Sequence, residues 1–79
     1  MAALTKTQLE QAHRTYKEAQ YLLREAHKDE DRARGKWIND QTHVNMTAWV
    51  DAAERVEDYI ARTEEAWERL YMMLEESGI

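Results

Sequence analysis

Few residues in this chain could bind a metal or take part in catalysis, and they are scattered along the sequence. Glu10 and His13 have the Glu-x-x-His spacing of carboxylate-bridged di-metal bundles, and His27 lies near Glu30 and Asp31. A di-metal bundle needs the Glu-x-x-His pair twice, with further Glu on facing helices, and here it occurs once. We therefore expect no metal site, and we expect the histidines to be polar neighbours of a helix seam.

Nucleophilic catalysis and cofactor binding have no support in the composition. The 79 residues include no Cys and a single Ser, Ser77, close to the C-terminus. A catalytic Ser needs a base held beside it by a rigid scaffold, and a phosphate-binding loop needs several Gly, of which the chain has two. We expect a protein that is not an enzyme, with no catalytic residue and no cofactor.

The clearest pattern is a pair of columns at seven-residue spacing in the first half of the chain. The columns are Ala12, Ala19, Ala26 and Ala33, and Leu9, Tyr16, Leu23, Glu30 and Trp37. Their alternation at three and four residues is the seam of a coiled coil. Since the distance between helix axes depends on the side chains at the contact, the Ala column predicts close packing against a second helix.

The first helix has a strong start signal and an ambiguous end. Thr5 followed by Gln8 forms a capping box, and Leu4 can pack on Leu9 as a hydrophobic staple. Gly35 could end the helix, but Trp37 keeps the seven-residue phase beyond it. The sequence therefore predicts helix one over about 5–34, or to 39 if the helix continues through the glycine.

The second helix is predicted over about 45–76, with Asn45 as its N-cap and Gly78 beyond its end. The connection, over about 36–45, is short enough to make the helices antiparallel. Residues 1–79 should thus form one all-α, coiled-coil-like antiparallel two-helix hairpin.

Helix two carries a wider apolar face than helix one. Its three columns are Met46, Ala53, Ile60, Trp67 and Leu74; Trp49, Val56, Thr63 and Leu70; and Ala52, Tyr59, Ala66 and Met73. One helix of the same chain covers only part of such a face, and scaffolds of this size often need oligomerisation. We predict a homodimer with a four-helix arrangement and an interface of Trp49, Tyr59, Trp67 and Met73.

Residues 70–74 form the segment that most resembles a binding surface. Five consecutive apolar residues extend beyond one helical turn, so Tyr71 and Met72 should point away from the seam. Exposed apolar surface of this kind marks partner binding. We expect a contact surface of Leu4, Tyr71, Met72 and Ile79 for another protein; the alternative is that the homodimer buries this segment.

The charges are unevenly distributed along the chain. Residues 1–40 carry eight Lys and Arg against seven Asp and Glu, whereas residues 41–79 carry three against nine, within a net charge of −5. Such acidity argues against direct nucleic-acid binding. Three acid–Arg pairs at i,i+4 spacing should neutralise part of the acidic helix: Asp51–Arg55, Asp58–Arg62 and Glu65–Arg69.

Glu30 is the one charged residue in the seam of helix one. In an antiparallel hairpin it lies across from the start of helix two, so we expect it to pair with Arg55 or Arg34, or to reach water near the turn.

In length, acidity and heptad pattern the chain resembles the small helical inhibitors and adaptors that phages and other mobile elements encode. The resemblance implies a protein-binding module that docks on a larger host protein. The alternatives are an acidic nucleic-acid mimic that occupies a basic groove and a purely structural assembly component. The sequence has no apolar run long enough to span a bilayer, so we expect a cytoplasmic protein without a membrane partner.

Overall fold

Two long helices make up almost all of the computed structural model, which describes residues 5–76. Helix α1 spans Lys6–Asn39 and helix α2 spans His43–Glu76, each with 34 residues. They pack side by side into a rod whose Cα atoms extend 58 × 14 × 14 Å. The predicted all-α two-helix hairpin is confirmed; Leu4, Ile79 and the predicted staple lie outside the described residues.

The start of α1 follows the capping box. The backbone N–H of Gln8 donates to Thr5 Oγ1 at 3.1 Å, and the N–H of Thr5 donates to Gln8 Oε1 at 2.9 Å. The two bonds satisfy backbone donors that have no partner inside the helix. The predicted N-terminus of helix one is therefore confirmed.

Helix α1 continues through Gly35 and ends at Asn39, so the longer of the two predicted boundaries is correct. A methyl group placed at Gly35 would have no neighbour within 4 Å, so no close approach requires a glycine there. The N–H of Asp40 still bonds to Lys36 O at 3.0 Å, which completes the last turn.

The connection is shorter than predicted, and the cap of α2 is a different residue. Thr42, not Asn45, caps the helix, because Thr42 Oγ1 accepts the N–H of Asn45 at 3.1 Å. The Asn45 side chain instead donates to Asp40 O across the turn at 2.8 Å. Thr42 and Asn45 can both act as the N-cap of α2. Capping at Thr42 lets the helix begin three residues earlier, which adds nearly one turn of helical hydrogen bonds.

The core between the helices is made of small residues. The buried side chains of the described residues are Ala12, Ala26, Ala52, Val56 and Leu70. Ala19 and Ala33 are half-buried, so the alanine column faces α2 as predicted. Because small side chains let the axes approach, the two helices meet closely but enclose little apolar volume.

Candidate protein-binding surface

The three apolar columns of α2 are not equivalent in the structure. Every member of the columns that begin at Trp49 and Ala52 is buried or half-buried, so these two columns face α1. The third column, which we call the rim column, consists of Met46, Ala53, Ile60, Trp67 and Leu74. Three of its five members are exposed: Met46 by 42%, Ile60 by 38% and Trp67 by 47%. The rim column therefore borders the seam and faces outward.

A run of three aromatic rings, each tilted against the next, crosses one end of the rim column. The Trp67 ring lies 5.3 Å from Tyr16 of α1 and 6.2 Å from Tyr71, between ring centroids. The Tyr16 hydroxyl accepts a hydrogen bond of 2.8 Å from Gln20 Nε2. Tilted ring pairs at these separations are favourable, so Trp67 is held in place although half of it contacts solvent.

Tyr71 and Met72 point away from the seam, as the sequence predicts, and they are 51% and 60% exposed. Consecutive residues on a helix point about 100° apart. Tyr71 therefore lies beside Trp67, whereas Met72 points round the helix towards the opposite side.

The four residues predicted for a dimer interface are divided between two environments. Trp49, Tyr59 and Met73 are half-buried in the columns that face α1, and Trp67 is exposed on the rim column. Val50, which the sequence analysis did not single out, is 48% exposed. It stands four residues after Met46, one helical turn farther from the connection, so it widens the exposed apolar surface beside the rim column.

Side-chain size does not distinguish the columns, because the inward-facing columns include Trp49 and Leu70 and the rim column includes Ala53. Which column stays outside depends on how α2 is rotated against the alanines of α1, and the periodicity of α2 carries no signal for that rotation.

Glu30 and two tryptophans form a cluster near the connection. Trp49 Nε1 donates to Glu30 Oε1 at 3.3 Å, and the Trp49 ring lies 5.3 Å from that of Trp37. The predicted pairing of Glu30 with Arg55 or Arg34 is wrong, since Arg34 bonds to Asp31 at 3.0 Å. An indole N–H of a half-buried ring needs an acceptor, and Glu30 supplies it across the seam.

A groove of about 700 Å³ lies on the side of the hairpin away from Trp67. Its floor includes Ala12, Ala19 and Ala66, and Tyr59 and Met73 line its α2 side. The Arg62 guanidinium lies 5.3 Å from the centre of the Tyr59 ring, which is a cation–π distance. The groove is the space left between helices whose facing side chains are small.

The predicted ion pairs of α2 are not formed. Among the described residues, every ion pair joins side chains of α1: Lys6–Glu10, Glu25–Lys28, Asp29–Arg32 and Asp31–Arg34. Exposed pairs gain little free energy, so long side chains need not adopt one geometry. The acidic helix therefore presents its carboxylates without the three predicted arginine partners.

Among residues 5–76, no three His, Asp or Glu side chains lie close enough to hold a metal ion. Glu10 and His13 are exposed, and Glu10 pairs with Lys6 at 3.9 Å. Within the same part of the chain, neither helix is both long and apolar enough to cross a membrane.

Comparison with protein families, with curated proteins and with solved structures finds no match to this chain.

Proposed function

We propose that this chain is a small helical protein-binding module, an inhibitor or adaptor that docks on a larger protein of its host. The observation that carries the proposal is the exposure of Tyr71 and Met72, two large apolar side chains at consecutive positions near the end of α2. Large exposed apolar side chains favour contact with another protein, and Tyr and Met are frequent at adaptable interfaces.

We further propose that the module is a homodimer with a four-helix arrangement. The support is the thin core, in which three of the five buried side chains are alanine, together with the exposed rim column. A hairpin of this size gains stability when a second copy covers the apolar residues that one helix leaves in water.

The docking surface is tested with the double substitution Tyr71→Glu and Met72→Glu. A tagged wild-type chain is used to capture a binding protein from a bacterial lysate, the host type that the phage resemblance implies, and mass spectrometry identifies it. We expect the double variant to lose this protein, because a charge buried against an apolar surface is strongly unfavourable. The matched control, Thr47→Glu with Ala61→Glu, adds the same charge at exposed positions of α2 and should retain binding.

Two results would contradict this surface. Unchanged capture by the double variant would move the contact elsewhere, and loss of the dimer mass in light scattering would make Tyr71 and Met72 part of a subunit interface.

One observation favours a second function, an acidic mimic of nucleic acid. The carboxylates of α2 lack the predicted arginine partners, which leaves the acidic helix less neutralised than its sequence indicates. A mimic would compete with DNA for the captured protein, and its binding would weaken steeply with salt. Docking through Tyr71 and Met72 should be little affected by added DNA or by salt.

A further inference from the structure

We propose that the rim column of α2 is the interface between two copies of this chain, with α2 packed antiparallel on α2 and the two-fold axis beside Ile60. This inference rests on the homodimer proposed above. The homodimer proposal leaves open which helices meet, through which face and in which register, and the α2–α2 contact specifies all three.

The two helices present different side chains on this side of the hairpin. Helix α2 presents exposed Met46, Ile60 and Trp67. Helix α1 presents polar groups: His13 lines a hollow with Leu74, and Gln20 bonds to the Tyr16 hydroxyl. Packing α2 on α2 places apolar side chains on apolar side chains, whereas packing α1 on α2 would cover the same residues with polar ones.

The side chains of the rim column match one another when two copies pack antiparallel. In a two-fold interface, each contact occurs twice with the roles exchanged. With the axis beside Ile60, residues equally far before and after it meet, so Trp67 faces Ala53 of the second copy. Met46 then faces Leu74, and Ile60 faces Ile60. The largest side chain of the column meets the smallest, which is how facing layers interdigitate.

The rim column is long enough for an extended contact. It runs from Met46 to Leu74, which is 28 residues or about 42 Å along α2. An α2–α2 contact through this column therefore follows most of the 58 Å rod and is not confined to one end.

The charge at position 64 distinguishes this arrangement from one in which α1 packs on α2. Glu57 and Glu64 lie three residues before and four after Ile60, so they meet across the axis at the edge of the interface. In the alternative, with α1 on α2, Glu64 would lie beside the α1 edge that carries Lys17 and Arg24. A positive charge at position 64 should thus strengthen the first arrangement and weaken the second.

The register is tested by disulfide formation in single-cysteine variants, since the native chain has no Cys. Ile60→Cys should form a covalent dimer under mild oxidation, because the two thiols meet at the axis. Ala61→Cys is the neighbouring control on another side of the helix. Ala53→Cys is a control on the same column, whose two copies would be separated by roughly 20 Å along the helix. Both controls should stay uncross-linked.

The helix pair is tested with Glu64→Lys, measured by sedimentation equilibrium. We expect the dimer Kd to fall on the order of tenfold, because two Glu–Lys pairs replace two repulsions. A weaker dimer would overturn the inference in favour of α1 on α2. Circular dichroism on each variant checks that helicity is unchanged.

The outcomes separate this inference from the homodimer itself. A monomer mass at about 100 micromolar, a concentration well above typical interface affinities, would overturn both. A wild-type dimer whose Ile60→Cys variant fails to cross-link, or cross-links no faster than Ala61→Cys, would overturn this interface alone.

Discussion

At the scale of single residues, Glu30 fixes how the two helices meet near the connection. It is the one charged position in the α1 seam, and its carboxylate accepts the indole N–H of Trp49, whose ring lies tilted against that of Trp37. This hydrogen bond forms at only one alignment of the two helices along their axes, so it favours that alignment over shifted ones.

Replacing Glu30 tests this role. We expect Glu30→Ala to lower the free energy of unfolding by about 1 kcal/mol, because Trp49 loses its acceptor at a half-buried site. Glu30→Gln keeps an acceptor oxygen and should cost less than half as much. Urea denaturation gives the comparison, and equal losses in both variants would show that the carboxylate charge matters, not the bond.

At the scale of elements, α1 continues past Gly35, a residue type at which helices often end. The seven-residue phase carries it through Gly35 to Asn39, so that Trp37 reaches Trp49. The glycine is thus a weak point inside the helix and not its end.

This placement predicts a stabilising substitution. Gly35→Ala should raise the free energy of unfolding by about 0.5–1 kcal/mol, because alanine is the better helix former and its methyl group meets open space. Thermal melting followed by circular dichroism measures the change. A loss of stability would place the helix end before residue 35.

The alanine column of α1 predicts the opposite effect for larger side chains. Ala26→Leu should cost about 1–3 kcal/mol, because Ala26 is buried against α2 and extra methylenes would push the helices apart. Lys28→Leu, on the exposed outer side, is the matched control and should cost little. If the two variants melt alike, the column does not define the helix–helix contact.

At the scale of the whole molecule, the hairpin is long and thin. A rod 14 Å wide buries five side chains among its described residues, and the rim column remains outside. A second chain that covers the rim column would add apolar burial that the hairpin alone lacks.

If two copies share that surface, stability should depend on concentration. We expect light scattering to give the dimer mass at about 100 micromolar, and the melting temperature to rise between about 1 and 100 micromolar by mass action. A melting temperature independent of concentration would indicate a hairpin that folds alone.

Much of the fold could be predicted from local signals. The capping box at Thr5 set the start of α1, and the seven-residue columns identified the α1 face that meets α2, because both depend on residues close in sequence. The connection was harder to predict, since Thr42 and Asn45 both have cap-forming side chains.

The surface was only partly predictable. The exposure of Tyr71 and Met72 followed from five consecutive apolar residues, since a helix cannot turn all of them inward. The ion pairs of α2 did not follow from i,i+4 spacing, because spacing permits such pairs without making them favourable enough to fix two exposed side chains.

The sequence by itself determined two helices, the start of α1, their antiparallel course and the alanine contact, since each depends on local signals along one chain. Only the tertiary structure decided which two of the three α2 columns face α1, and therefore that Trp49, Tyr59 and Met73 pack inward while Ile60 and Trp67 remain outside. The reason is geometric: periodicity defines a face, but the rotation of each helix about its axis depends on how side chains of both helices fit together.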